Sequence, residues 1–220
     1  MRFEEFKNKI IYRPLIFTKD LEVFISKSGI QSLHNQFRRW QKKGLIQKIK
    51  NGIYILNEND RKISPSKTYI ANQIYLPSYI SLEYALSYYN LIPEGVTDIT
   101  SVTTKKTVRF TNKIGVFVYQ HIKINAYKGY KTITDEFSLN VIMAEPEKAI
   151  VDFLYLNLRS FKELLKENEI INIFEHSYRF QNTEILNNNK IIEYSRLFNN
   201  SKLSKIVNIF CEYTSLERKK

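Results

Sequence analysis

Four side chains in the first third of the chain, Gln31, Asn35, Arg38 and Lys42, are spaced by four, three and four residues. On an α-helix that spacing keeps them within roughly 60° of one another. They are of the types that read base edges. Arg matches guanine, and Asn or Gln matches adenine, each good bidentate pair giving about 1–3 kcal/mol of discrimination. Ser32, Arg39 and Lys43 flank the stripe and suit phosphate oxygens. From Arg38 to Lys50 there are six basic residues and no acid, which implies several phosphate contacts and a steep salt dependence. Lys48, Lys50 and Asn51 extend the basic run. Singly, each residue fits a solvated basic helix equally well. As a group they fit DNA binding, or docking onto another protein.

Two further groups could do chemistry. Glu145, Glu147 and Lys148 follow an apolar run ending at Ala144. Carboxylates and a lysine converging at a strand end are the ingredients of a metal-dependent nuclease. A local reading competes: Glu147 in a first helical turn favours the helix dipole, and Lys148 has Asp152 one turn further on. Lys105, Lys106 and Arg109, in the Thr-rich stretch from Thr97 to Thr107 and just after it, form a second basic surface. It is either an exposed strand and turn or a contact for a partner or nucleic acid. The three histidines are widely separated, no His/Cys cluster has ligand spacing, and the six glycines form no phosphate loop. No catalytic residues, metal or cofactor are expected.

The elements that must position these residues follow from periodicity and punctuation. Residues 3–12 form a short amphipathic helix stopped by Pro14. Thr18 is a candidate N-cap for a helix from Lys19 to Ile25, and Ser26 to Gly29 form a polar turn. A third helix runs from about Ile30 to Lys43, with Gly44 as its C-cap. Ile30, Leu33, Phe37 and Trp40 lie opposite the polar stripe and face the first two helices. His34 falls between the stripes. Leu45–Ile49 and Ile53–Leu56 flank Asn51-Gly52, the strongest short hairpin signal. Three helices and a basic hairpin make the winged form of the helix-turn-helix.

Charge supports a separate basic module. The first 66 residues carry 14 basic and 6 acidic side chains, the remaining 154 carry 20 and 16, and the net charge is +12. Such an excess favours a polyanionic partner. No apolar run is long enough to span a bilayer, and the acidic start Met1-Arg2-Phe3-Glu4-Glu5 does not fit a signal peptide. The one cysteine, Cys211, reads as a buried residue in a reducing compartment, so the expected location is cytoplasmic, with no membrane contact.

Residues 57–66 read as a linker. Beyond it, Lys67–Leu76 and Ser81–Tyr89 look helical. Asp98–Val102, Thr107–Phe110, Gly115–Ile122 and Leu139–Ala144 look like strands, with a turn at Gly129. Pro146 opens a buried helix, and residues from Phe161 to about Tyr213 form three or four more. Asp135 and Glu136 sit on a turn. The expected fold is α+β: a winged helix over residues 1–62, then an α+β domain over 63–220. That domain holds a small, mostly antiparallel sheet flanked by helices, with a helical part from about 146.

Within this second part, Leu76-Pro77-Ser78-Tyr79-Ile80-Ser81-Leu82-Glu83-Tyr84-Ala85-Leu86 and Leu91-Ile92-Pro93-Glu94 resemble the start of the antitoxin domain of AbiEi proteins. Ile99-Thr100-Ser101-Val102-Thr103-Thr104-Lys105-Lys106, Gly115-Val116-Phe117-Val118-Tyr119 and Ala144-Glu145-Pro146-Glu147-Lys148-Ala149 extend the similarity. Glu145 departs from it, standing where a small hydroxyl residue is usual. The resemblance covers roughly residues 1–160. It implies an antitoxin of a type IV toxin–antitoxin system in phage defence. Its winged helix represses its own promoter at repeats, and its second domain counters a nucleotidyltransferase-like toxin without needing a stable complex. The expected partners are promoter DNA, with inverted repeats met by a monomer or weak dimer, and that toxin. The residues also fit a stand-alone regulator whose second domain senses a ligand or mediates assembly; the nuclease is the third reading.

Overall fold

Aromatic residues spaced along two helices assemble the first core. A computed structural model of the protein describes residues 2–22, 27–161 and 166–217. Helix α1 (Phe3–Ile10) lays Phe6 and Ile10 against Leu33, Phe37 and Trp40 of α3 (Lys27–Lys42). Phe6 stacks on Trp40 with centroids 4.8 Å apart, and Phe37 meets Phe6 edge-on at 5.5 Å. Between them lie β1 (Ile16–Phe17) and α2 (Thr18–Glu22). Strands β2 (Ile46–Lys50) and β3 (Ile53–Leu56) follow, and the small antiparallel sheet runs β1-β3-β2.

Three local expectations shift here. α3 starts at Lys27, so Gly29 is helical and not part of a turn; Ser26, like Val23 to Ile25, lies outside the described residues. Thr18 is the first residue of α2, not its cap. Strand β1 was not anticipated, because two residues are too few to show a period. Gly44 closes α3 with φ +70°, the left-handed geometry a helix-ending glycine supplies.

The rest of the chain contains α4 (Lys67–Ile74), β4 (Ser78–Ile80), α5 (Leu82–Tyr88), β5 (Ile99–Thr103), β6 (Val108–Thr111) and β7 (Val116–His121). It continues with β8 (Tyr130–Thr134), β9 (Asn140–Ala144), α6 (Pro146–Leu156), α7 (Glu167–Asn172), α8 (Asn188–Arg196) and α9 (Ser201–Glu217). The six strands β4–β9 form one sheet in the order β6-β7-β5-β4-β9-β8. The fold is α+β, but this sheet is larger than expected and mixed: β4–β9 and β5–β7 pair in parallel. Parallel neighbours are joined by crossovers, which leave no local mark in a sequence. β4 falls between two expected helices, in residues given no element; it is buried throughout and lacks the alternation of a half-exposed strand. β8, also unforeseen, is a mostly exposed edge.

Helices cover both faces of the sheet. On one, Tyr119 donates from Oη to the Ala71 carbonyl of α4 at 2.6 Å. On the other, Tyr79 and Ser81 reach Asp152 of α6, which also packs on α5, α8 and α9. Segment 57–66 is held by hydrogen bonds. Lys62 N donates to Ile11 O at 3.1 Å, and Ser66 Oγ caps α4 by accepting from Tyr69 N at 2.9 Å. Asp135 closes its turn by accepting from the Phe137 and Leu139 amides. Cys211 is buried on α9.

The hairpin has two apolar faces. Ile46 and Leu56 belong to the small aromatic core, whereas Ile49, Ile53 and Ile55 join the large core of the six-stranded sheet, as does Leu15. The two parts of the chain are thus packed against each other through the hairpin. Among the described residues no helix is long and apolar enough to cross a membrane.

Candidate nucleic-acid interface

Burial of one α3 face presents the other to solvent. Leu33, Phe37 and Trp40 are buried, and Gln31, Asn35, Arg38 and Lys42 are all exposed. Gln31 Nε2 donates to Asn35 Oδ1 at 3.4 Å, so these two amides are neighbours one turn apart. Ser32, Arg39 and Lys43 are exposed beside them. Among the described residues none of Arg38, Arg39, Lys42 and Lys43 has a carboxylate partner. Arg38 lies near Tyr54, whose phenol is pushed up by burial and held back by the guanidinium charge. His34, at the edge of the stripe, pairs with Glu22 at 2.9 Å.

The hairpin divides the remaining predicted contacts. Lys48 and Asn51 are exposed. Lys50 is not a free cation at the tip: its Nζ donates to the Ile74 carbonyl at 2.8 Å and lies 4.6 Å from the Phe110 ring centroid and 5.3 Å from that of Tyr75. A β-bulge is the cause. Lys48 pairs with Tyr54 but Lys50 pairs with Ile53, leaving Ile49 as the extra residue. One inserted residue turns a side chain to the opposite face. Lys50 therefore points with Ile53 and Ile55 toward the six-stranded sheet. Burial lowers its pKa, and the nearby Lys105 charge lowers it further.

The second basic surface is split. Lys105 and Lys106 border a shallow depression of about 510 Å³ with Tyr75, Thr104 and His121. Lys105 Nζ is 5.6 Å from the Tyr75 ring centroid, and Tyr75 Oη donates to Lys106 O. Arg109 lies apart, paired with Asp98 at 3.3 Å on the rim of a separate pocket of about 620 Å³.

The three residues after β9 do not converge on a shared point. Glu145 accepts from Lys190 Nζ at 2.8 Å and Tyr194 Oη at 2.9 Å, which hold its carboxyl below the ordinary range. It thus precedes α6 without capping it through its side chain. Glu147 accepts from the Asn187 amide at 3.1 Å. Lys148 forms the ion pair with Asp152 that their spacing allows, and both side chains are 0% exposed. Asp152 also accepts from Tyr79 Oη at 3.0 Å and Ser81 Oγ at 2.9 Å. Burial pushes the Asp152 carboxyl up and the Lys148 ammonium down, each opposed by the partner's charge. Among the described residues no group of three or more His, Cys, Asp or Glu could hold a metal ion.

One feature of this surface was missed in the sequence. A groove of about 700 Å³ lies between the hairpin and the turn joining β6 to β7, bordered by Gln41, Lys48, Asn51, Asn112 and Lys113. Lys113 gave no signal, since a lone lysine after an asparagine in a turn is ordinary. No protein-family model and no curated protein matches the chain significantly.

Proposed function

We propose that the chain is a DNA-binding repressor that reads its operator with the exposed face of α3, in the manner of a winged helix-turn-helix. The observation that carries this reading is the placing of Gln31, Asn35, Arg38 and Lys42 on one solvent-facing stripe with exposed Arg39 and Lys43 beside it. Arg38 and the two amides suit base edges, and the flanking cations suit phosphates. Lys48 and Asn51 add backbone contacts from the hairpin. Lys50 is assigned instead to holding the hairpin on the sheet. The test is binding to the duplex upstream of the gene: the chain prefers it over random DNA, and affinity falls steeply with salt.

The antitoxin role rests on the motifs that resemble AbiEi proteins. In this reading the six-stranded unit counters a nucleotidyltransferase-like toxin encoded beside the gene. Co-expression with that neighbour tests it: growth is rescued by the full chain, and an absence of rescue removes the antitoxin role while leaving the repressor intact.

A further inference from the structure

The six-stranded unit packs its β6–β7 turn beside the hairpin, and the groove between them opens next to α3. Gln41 and Gly44, at the end of α3, line it along with Lys48 and Asn51 of the hairpin. Gln41 precedes Lys42 of the polar stripe, so the groove begins at the edge of that helix face. Ile46, Ile49, Lys50 and Phe110 also line it, and no carboxylate is among the lining residues. Three carbonyls at the end of α3 are hydrogen-bonded: Trp40 O accepts from Leu45 N, Gln41 O from Gly44 N, and Arg39 O from Lys43 N.

Asn112 ties down the far wall. Asn112 Oδ1 accepts from Ile114 N at 2.8 Å and Gly115 N at 3.3 Å, which closes the turn. Asn112 Nδ2 donates to Ile49 O at 3.1 Å, which fastens the turn to β2. Lys113 is thereby held at the groove's rim, exposed and, among the described residues, without a carboxylate partner. The Lys67 side chain runs beside Gly115 of the same turn, outside the residues that line the groove. Lys50, turned inward by the bulge, lines the groove with its Nζ bonded to the Ile74 carbonyl. A groove with cations and amides on its rim, no acid in its lining and a preset shape fits a phosphodiester backbone.

We propose that the six-stranded unit completes the DNA surface: the groove receives the phosphate backbone of the same duplex whose bases face α3, with Lys113 as the contacting cation. This rests on the DNA-binding reading of α3. It makes the two parts of the chain one binding surface, so the footprint is longer than a helix-and-hairpin module alone would give.

The test uses the full chain and the upstream duplex, with binding measured from about 50 to about 200 mM salt. Four proteins are compared: wild type, Lys113→Ala, Arg38→Ala, and Lys205→Ala, which removes one exposed charge from α9, away from the groove. One lost phosphate contact lowers the steepness of the log–log salt plot by about 0.9. Over a fourfold rise in salt, wild type then loses roughly 3.5-fold more affinity than Lys113→Ala. Backbone protection beside the α3 site disappears in Lys113→Ala while the base preference stays. If Lys113→Ala matches Lys205→Ala in slope and protection while Arg38→Ala still binds poorly, the inference is overturned and the α3 reading stands. If wild type does not distinguish the upstream duplex from random DNA, the α3 reading falls and the inference with it.

Discussion

Replacing Lys148 with methionine removes one member of an ion pair in which both side chains are 0% exposed. Methionine keeps an apolar stem of similar volume and lacks the terminal ammonium, so the change is mainly one of charge. Asp152 then retains only Tyr79 and Ser81 as donors. Breaking a buried pair on one side costs about 3–5 kcal/mol, because the remaining charge is uncompensated. For a chain of this size each kcal/mol shifts the melting temperature by about 2–4 °C, so the expected drop is roughly 6–20 °C. The double variant Lys148→Met, Asp152→Asn removes both charges and keeps an acceptor for the two hydroxyls, so it recovers most of that loss. Acid should help the single variant. With Lys148 gone, burial holds the Asp152 carboxyl above its unfolded value. The folded state then binds the extra proton, and this stability is present at low pH and lost as pH rises through the raised pKa. Thermal unfolding followed by circular dichroism, from about pH 5 to about pH 8, reads all of this. A double variant as unstable as the single one, or a deficit that does not shrink on acidification, would refute the reasoning.

Lys50→Ala should act on stability more than on DNA, because its Nζ, although in the groove lining, is bonded to the Ile74 carbonyl. Losing its bond to Ile74 O and its place against Phe110 and Tyr75 costs about 1–2 kcal/mol. It lowers the melting temperature while the salt dependence of DNA binding stays at the wild-type slope; a slope reduced by about 0.9 would return Lys50 to the phosphate contacts. Glu145→Gln should flatten the acid limb of the stability curve. Lys190 and Tyr194 hold the Glu145 carboxyl below the ordinary range, so its contribution is present above the unfolded pKa and lost as pH falls through the folded one. Melting curves of wild type and variant that stay parallel down to about pH 3 would contradict that assignment.

The α3 stripe was legible because its helix is long enough to express a period and its apolar face is aromatic. Leu33, Phe37 and Trp40 define the buried side, and Gln31, Asn35, Arg38 and Lys42 then have only solvent to face. The Asn51-Gly52 turn was equally readable, and Gly52 takes φ +79° as such a turn requires. The bulge at Ile49 was not. Whether Lys50 shares a face with Lys48 depends on one residue of register, which the local sequence leaves open. Strands β4 and β8 were missed for opposite reasons: β4 is buried throughout and shows no alternation, while β8 is almost wholly exposed. The parallel pairings of β4 with β9 and β5 with β7 join segments far apart in the chain. The spacing of Lys148 and Asp152 announced their contact. Their complete burial, and the convergence of Tyr79 and Ser81 on the same carboxylate, required the sheet.

The central claim is that the exposed face of α3 reads DNA. Footprinting on the duplex upstream of the gene, with wild type and Arg38→Ala, tests it most directly. The account predicts a protected site for wild type and, for the variant, a loss confined to one base position. Affinity should fall by roughly 5- to 150-fold, the span of about 1–3 kcal/mol for one base contact. Uniform weakening across all positions would move Arg38 to the phosphates. Wild-type binding no tighter to this duplex than to random DNA would contradict the account.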